Sequence, residues 1–217
     1  MQINENLKSI NSFWVTGSPR TGSMWASNII REILAISGFS VKPKLPFQDN
    51  QDFIDLFYLE ASNDEDVKNK YVYKVHDLLK TNLPRSKYIV NIRNPLEICA
   101  SFYKFMKCEL ETALQVAENH PKVVTHYSKI EKEKLYLMRF ENIISKPDSE
   151  IANLAKFIGV NLSDTQIWSI NEKYSKKNVE KIIKNCERGI ISKINKNEKL
   201  KKGEIVFTSK INFVLLI

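Results

Sequence analysis

The chain has 217 residues, of which 43% are hydrophobic, and a formal net charge of +8 at pH 7. This length suits one α/β-sized domain, which can bury enough apolar surface to fold without disulfides or a metal. No apolar run approaches the roughly 20 residues that span a bilayer, and residues 1–11 lack the apolar core of a secretory signal. We therefore predict a single domain over residues 1–217 and a cytoplasmic location.

The cysteines support the same location. Cys99, Cys108 and Cys186 are odd in number, and their spacing fits neither a zinc site nor a disulfide framework. Free thiols in a reducing compartment are the simplest interpretation.

The positive charge is concentrated near the end of the chain. Residues 173–202 contain 11 Lys/Arg and 3 Asp/Glu, an excess equal to the whole net charge. A solvated helix face is the simplest interpretation, and a flap over an anionic cofactor is an alternative. Nucleic-acid binding is disfavoured because single-strand sites interleave aromatic side chains with the charge, and this segment has only Tyr174.

The first part of the chain predicts a strand followed by a helix. The apolar run Phe13–Thr16 predicts the strand, and apolar residues at helical spacing from Trp25 to Leu34 predict the helix. Residues 39–50 are predicted to be a connection, and Phe53–Leu59 a short helix.

The remainder continues the alternation. Three more apolar runs predict strands, at Tyr71–His76, Tyr88–Ile92 and Lys134–Met138. A helix is predicted from Pro95, residues 109–132 are predicted to form two helices broken at Pro121, and Pro147 begins a helix that ends at Gly159. Because strands alternate with helices, we predict an α/β fold with a parallel β-sheet flanked by helices on both faces.

A glycine pattern, Gly17-x4-Gly22, lies between the first strand and the first helix. Backbone N–H groups at a helix start favour an anion there. Nucleoside triphosphatases continue this loop with Lys and then Ser or Thr, but here Ser23 and Met24 follow. The loop therefore predicts a phosphate site that is poorly equipped for Mg²⁺-dependent phosphoryl transfer, with Arg20 as its cation. A glycine turn that merely opens a buried helix is the alternative.

Four motifs follow one another along the chain. They are Pro19–Trp25, then Lys74-Val-His76, then Arg93 with Ser101 eight residues later, and finally Leu137–Gly159. In this order they resemble four elements of the sulfotransferases that use 3′-phosphoadenosine-5′-phosphosulfate (PAPS): the 5′-phosphosulfate-binding loop, the Lys-x-His strand end, the 3′-phosphate-binding element and the segment that follows it. The resemblance implies a P-loop-NTPase-like sulfotransferase fold.

The resemblance, which covers residues 13–160, also implies roles for individual residues. The implied catalytic residues are His76, Lys74 and Arg20. His76 is the base, Lys74 lies on the same face of its strand in reach of the sulfuryl oxygens, and Arg20 contacts the leaving phosphate. The residues implied in donor binding are Arg20, Thr21, Gly22, Ser23, Met24, Trp25, Arg93 and Ser101. The implied donor is PAPS, which leaves as adenosine 3′,5′-bisphosphate (PAP), and no metal is implied.

Three questions stay open at this point. The acceptor is a hydroxyl or an amine on a small molecule or glycan, and its pocket is predicted beside residues 39–60 and 109–130. The side chains considered there are Phe47, Phe53, Phe57, Tyr58, His120 and His126. The alternative functions are a P-loop small-molecule kinase and a nucleotide-binding sulfotransferase homologue without turnover. The oligomeric state does not follow from the sequence.

The C-terminal part departs most from the resemblance. The family's basic C-terminal element has its nearest match in Lys201-Lys-Gly203. We predict that Lys201 and Lys202 approach the donor and that the apolar stretch within residues 204–217 is buried.

Overall fold

The computed structural model describes residue 7 and residues 9–44, 51–76, 78–79 and 83–181, without the side chains of residues 51–54, 56 and 57. These ranges contain five strands and seven helices. The strands are β1 (Ser12–Thr16), β2 (Ser40–Lys42), β3 (Asn69–Val75), β4 (Ser86–Ile92) and β5 (Leu135–Arg139). The helices are α1 (Ser23–Ile36), α2 (Gln51–Asn63), α3 (Pro95–Met106), α4 (Leu110–Tyr127), α5 (Phe140–Ser145), α6 (Pro147–Ile158) and α7 (Asp164–Lys173).

The five strands form one parallel sheet in the order β2-β3-β1-β4-β5. The central strand β1 has β3 on one side and β4 on the other, and Thr16 at its end is level with Val75 and Val90. The connection after β1 leads to β2 on one side of β1, and the connection after β3 leads to β4 on its other side. The carboxyl end of β1 is therefore the point where open α/β sheets bind ligands. The loop after β1, His76 after β3 and Arg93 after β4 all lie at that edge.

Alternate residues of β1 face opposite layers of the fold, as strand geometry requires. Phe13 and Val15 pack in the cluster that contains buried residues of α1, α6 and α7. Trp14 packs on the other face with Ala61 of α2 and Tyr127 of α4. Helices therefore cover both faces, and the predicted architecture is confirmed.

Local departures from the predicted elements have identifiable causes. Residues 39–50 were predicted to be a connection, but Ser40–Lys42 pairs with β3 as an edge strand. The break predicted at Pro121 was wrong, because α4 is continuous. Its buried side chains lie on both sides of the proline, at Ala117, His120 and Tyr127, and packing along that face holds the helix together.

The β2–β3 edge is tied together by one carboxylate. Asp64 Oδ2 accepts hydrogen bonds from Tyr71 Oη at 2.7 Å, Asn69 Nδ2 at 2.8 Å and Lys42 Nζ at 3.1 Å. The hydrogen bond from Tyr71, followed by that from Lys42, holds the pKa of Asp64 well below its ordinary value of 3.8 despite partial burial. This carboxylate therefore stabilises the folded chain while it is ionised.

Two of the three cysteines lie among the described residues. Cys99 and Cys108 are free thiols, while Cys186 lies outside the described residues. None of the helices in the described ranges is both long enough and apolar enough to cross a membrane.

Candidate active site

The loop between β1 and α1 has a backbone that only glycine accommodates at its two ends. Gly17 has a φ of 137° and Gly22 a φ of 90°. A Cβ on Gly17 would lie 2.9 Å from the carbonyl oxygen of Asn91, so any side chain there would force the backbone to shift. Gly22 is also the N-cap of α1 and offers its first N–H groups no side-chain acceptor. The loop thus directs a bare helix start toward the carboxyl edge of the sheet, as anion sites do.

Three predicted binding residues are joined by hydrogen bonds. Arg20 Nε donates to Ser101 Oγ at 3.1 Å, and Arg93 Nη1 donates to the carbonyl oxygen of Arg20 at 2.8 Å. The residues assigned to the 5′ and the 3′ end of the donor therefore form one connected group.

This group carries more positive than negative charge. Burial, and after it the repulsion from Arg93, lower the pKa of Arg20. Arg93 Nε pairs with Glu97 Oε2 at 3.1 Å, but the Glu97 side chain is 52% exposed, so solvent weakens its field. Two neighbouring guanidinium groups with one half-exposed carboxylate favour the binding of an anion.

A cavity of about 860 Å³ opens beside these arginines. Arg20, Gly22, Trp25, Arg93 and Ser101 line it, and all five are among the residues that the resemblance implies in donor binding. The wall also includes residues from α3, α5 and the chain after α7, among them Glu97, Lys104, Phe140, Ile143, Tyr174 and Lys176. Its volume is that of a typical small-molecule or cofactor site.

His76 lies beside a second, smaller cavity of about 240 Å³. Its Nδ1 is 2.8 Å from the carbonyl oxygen of Gly17, and because a carbonyl only accepts, Nδ1 carries the proton. Its Nε2 is 3.2 Å from Lys74 Nζ, which donates to it. Nε2 is therefore the basic nitrogen of the neutral ring.

The smaller cavity places acid–base and cationic groups against an apolar wall. Lys74, His76, Arg20 and Ser23 line one side, and the apolar side chains are those of Pro19, Met24, Phe102, Phe105 and Met106. The Arg20 guanidinium carbon lies 4.2 Å from the centre of the Phe105 ring. Arg20 lines both cavities, so its side chain lies between them.

A family model described as the sulfotransferase domain matches residues 11–206. The chain belongs to the sulfotransferase family. A comparison with curated protein sequences gives no match.

Solved structures of low sequence identity share this P-loop-NTPase-like α/β fold. Mouse sulfotransferase SULT7A1 in complex with PAP has 16% identity and a TM-score of 0.58, and the match covers 78% of this chain and 65% of the mouse chain. Retinol dehydratase in complex with androsterone and the inactive cofactor PAP has 15% identity and a TM-score of 0.54, over 82% of this chain and 67% of that chain. A sulfotransferase from Alicyclobacillus acidocaldarius has 12% identity and a TM-score of 0.50, and the match covers 85% of this chain and 94% of that chain. The present chain spans about two thirds of the length of the mouse sulfotransferase and retinol dehydratase chains.

The loop side chains divide between different surroundings. Ser23 and Met24 line the smaller cavity rather than the larger one. Thr21 lines neither, because its Oγ1 donates to the carbonyl oxygen of Ser18 at 2.7 Å inside the loop. Trp25 lines the larger cavity although only 8% of its surface is exposed, since it also packs in the core. Any contact of Thr21 with a donor would therefore come from its backbone.

Several acceptor candidates from the sequence lie elsewhere. His126 Nε2 is 2.8 Å from the carbonyl oxygen of Leu79, Tyr58 packs against the core, and neither they nor His120 line the smaller cavity. The side chains of Phe47, Phe53 and Phe57, and the element Lys201–Gly203, lie outside what the structure describes.

Sequence reasoning missed Glu97 and Lys104 as lining residues. Glu97 lies in the first turn of α3, four residues after Arg93, and Lys104 lies one turn after Ser101 on the same helix, so their spacing could have identified them. In the described parts of the chain, no group of three or more His, Cys, Asp or Glu side chains could hold a metal ion.

Proposed function

We propose that this sulfotransferase moves the sulfuryl group of PAPS to a hydroxyl or amine of a small acceptor and releases PAP. The observation that carries this proposal is the position of Arg20, which lines both the larger cavity and the cavity of His76. A cation at that junction can contact the transferred group while the base contacts the acceptor. The presence of PAP in the mouse sulfotransferase and retinol dehydratase structures supports the choice of nucleotide.

In this proposal the donor occupies the larger cavity. Arg93 and Ser101 bind its 3′-phosphate, and the loop N–H groups with Arg20 bind its 5′ end. The aromatic rings of Trp25 and Phe140 then lie along the same cavity. When the S–O bond to the 5′-phosphate breaks, that phosphate gains negative charge, and the guanidinium of Arg20 stabilises it.

His76 handles the proton of the acceptor. As the acceptor oxygen or nitrogen bonds to sulfur, its proton passes to His76 Nε2. Lys74 Nζ donates to that nitrogen in the structure, so the acceptor displaces it. The displaced ammonium group stays within reach of the sulfuryl oxygens, where its charge assists transfer.

The lining of the smaller cavity favours one kind of acceptor. Its apolar wall includes Met24, Phe102, Phe105 and Met106, and its described lining contains no carboxylate or carboxamide that could bind the hydroxyls of a sugar. Its volume of about 240 Å³ is below the usual range of drug-sized sites. We therefore propose a hydroxyl carried on a compact apolar ring, such as a phenol, in preference to a glycan.

The kinase alternative has less support. The loop has no lysine after Gly22, and the Ser23 side chain lines the cavity of His76. The cytoplasmic location, the single domain over residues 1–217 and the approach of Lys201 and Lys202 to the donor stay predictions.

Thermal unfolding with PAP tests the donor assignment. A hundredfold excess of ligand over its Kd stabilises a protein by about 2.7 kcal/mol, which corresponds to a Tm increase of about 5–10 °C at this size. We expect the same increase in Tm with EDTA present. The increase in Tm caused by PAP should be much smaller for Arg20→Gln than for Lys122→Gln, which replaces an exposed lysine and serves as the control. Mg²⁺-dependent stabilisation by ATP without any effect of PAP would indicate a kinase. Stabilisation by PAP without transfer from PAPS to 2-naphthol or other acceptors would indicate a binding protein.

A further inference from the structure

His120 is a buried histidine on α4 that lines neither cavity, yet it contacts two parts of the site. Only 2% of its surface is exposed. Its Nδ1 is 3.0 Å from Ser18 Oγ in the glycine loop, and its Nε2 accepts a hydrogen bond from the backbone N–H of Arg93 at 3.3 Å. One imidazole ring therefore connects the loop after β1 to the end of β4.

These partners determine the form of the ring. A backbone N–H can only donate, so Nε2 must carry a lone pair and the proton of the neutral ring is on Nδ1. That proton is then donated to Ser18 Oγ. Burial lowers the pKa of His120 from its ordinary value of 6.5, which favours the same neutral ring.

The connection differs from the other contacts between loop and strand. Arg93 Nη1 reaches the carbonyl oxygen of Arg20 with a side chain that a ligand can move. His120 instead holds the backbone of Arg93, and it does so from a helix outside the cavity. An apolar side chain of similar size could fill the space but would leave the Arg93 N–H and Ser18 Oγ without these partners.

We propose that His120 is a positioning residue that sets the distance between the loop binding the 5′ end of the nucleotide and the strand end binding its 3′-phosphate. The proposal rests on the proposed function for the identity of the ligand. A ligand that touches both parts gains affinity from their fixed separation, whereas a ligand that touches only the loop does not. His120 would therefore strengthen the binding of PAP and have only a weak effect on the binding of adenosine 5′-monophosphate (AMP).

Calorimetric titration of His120 variants with PAP and AMP tests this role. In His120→Leu both hydrogen bonds are lost, and we expect PAP binding to weaken by roughly 5–20-fold and AMP binding by less than about 2-fold. In His120→Gln the amide can accept from Arg93 and donate to Ser18, so most of the PAP affinity should return. His126→Leu is the matched control on the same helix: it removes the hydrogen bond to Leu79 and should leave the ratio of PAP to AMP affinity unchanged.

Two outcomes of the titrations overturn the proposal. Equal losses of affinity for PAP and AMP would mean that His120 only supports the packing of the site. Unchanged PAP affinity in His120→Leu would mean that His120 has no role in PAP binding. If His120→Leu fails to fold, Ser18→Ala decides, because it removes only the acceptor of the Nδ1 proton and should lower the PAP to AMP ratio in the same direction.

A measurement on the unliganded wild-type protein separates this proposal from the donor assignment. The ¹⁵N chemical shifts of His120 should show the Nδ1–H form of a neutral ring. An Nε2–H ring or an imidazolium at neutral pH would overturn the positioning role even if PAP binds. If His120 has the Nδ1–H form but the wild-type protein does not bind PAP, the donor assignment is refuted, and with it the role of His120 in PAP binding.

Discussion

Replacement of Arg93 by alanine should discriminate between PAP and AMP. The Arg93 side chain is 15% exposed, and its guanidinium lies 3.8 Å from the centre of the Phe140 ring in the wall of the larger cavity. Loss of a hydrogen bond to a charged group costs about 1.5–3 kcal/mol, which is roughly 10–150-fold in the affinity for the 3′-phosphate. The variant also loses the hydrogen bond to the Arg20 carbonyl, worth about 0.5–1.5 kcal/mol, and that loss affects both ligands.

The expected result is therefore a loss of roughly 2–10-fold for AMP and a loss for PAP that is larger by a further factor of about 10–150. Calorimetric titration of both nucleotides measures this directly. Ser101→Ala should shift the ratio in the same direction, and Lys122→Ala, which removes an exposed lysine on α4, should leave it unchanged. Equal losses for PAP and AMP in Arg93→Ala would refute the assignment of this arginine to the 3′-phosphate.

Two further variants test the base and the sheet edge. His76→Asn, which can still donate to the Gly17 carbonyl, should keep PAP affinity nearly unchanged and lower turnover by roughly 10²–10⁴-fold. Turnover within a few-fold of wild type would mean that another group accepts the acceptor's proton. Asp64→Asn should lower the free energy of unfolding by about 1.5–3 kcal/mol at neutral pH, measured by urea denaturation. Because the pKa of folded Asp64 is lowered, its contribution is present above the ordinary value of 3.8 and is lost below it, so the difference between wild type and variant should shrink in acid. A difference that stays constant down to pH 2 would contradict this.

The sequence predicted those parts of the site that lie within short motifs. The loop from Gly17 to Gly22 was visible because a helix start with two glycines has a known use. Lys74 and His76 were placed on one face because strand geometry fixes residues two apart. These predictions need only local geometry, which the chain order itself supplies.

Contacts between distant parts of the chain could not be predicted in this way. The hydrogen bond from Arg20 to Ser101 joins residues 81 positions apart, and the contact of His120 with Ser18 spans 102 positions. A single histidine in an amphipathic helix has no spacing that identifies its partners. For the same reason the edge strand β2 was missed, because Ser40–Lys42 becomes a strand only through its pairing with β3.

The charges of the site connect ligand binding with stability. Arg20 and Arg93 are held together by the hydrogen bond to the Arg20 carbonyl, although Arg93 lowers the pKa of Arg20. Glu97 offsets part of this repulsion, but its side chain is half exposed and its effect is screened. An anionic group bound between the arginines would relieve the remainder, and a nucleotide with charge at both its 3′ and 5′ ends would contact both sides of the pair. The repulsion that destabilises the unliganded site therefore favours the binding of a bisphosphate over that of a monophosphate. For this reason the ratio of PAP affinity to AMP affinity reports on the geometry of the site more directly than either affinity alone.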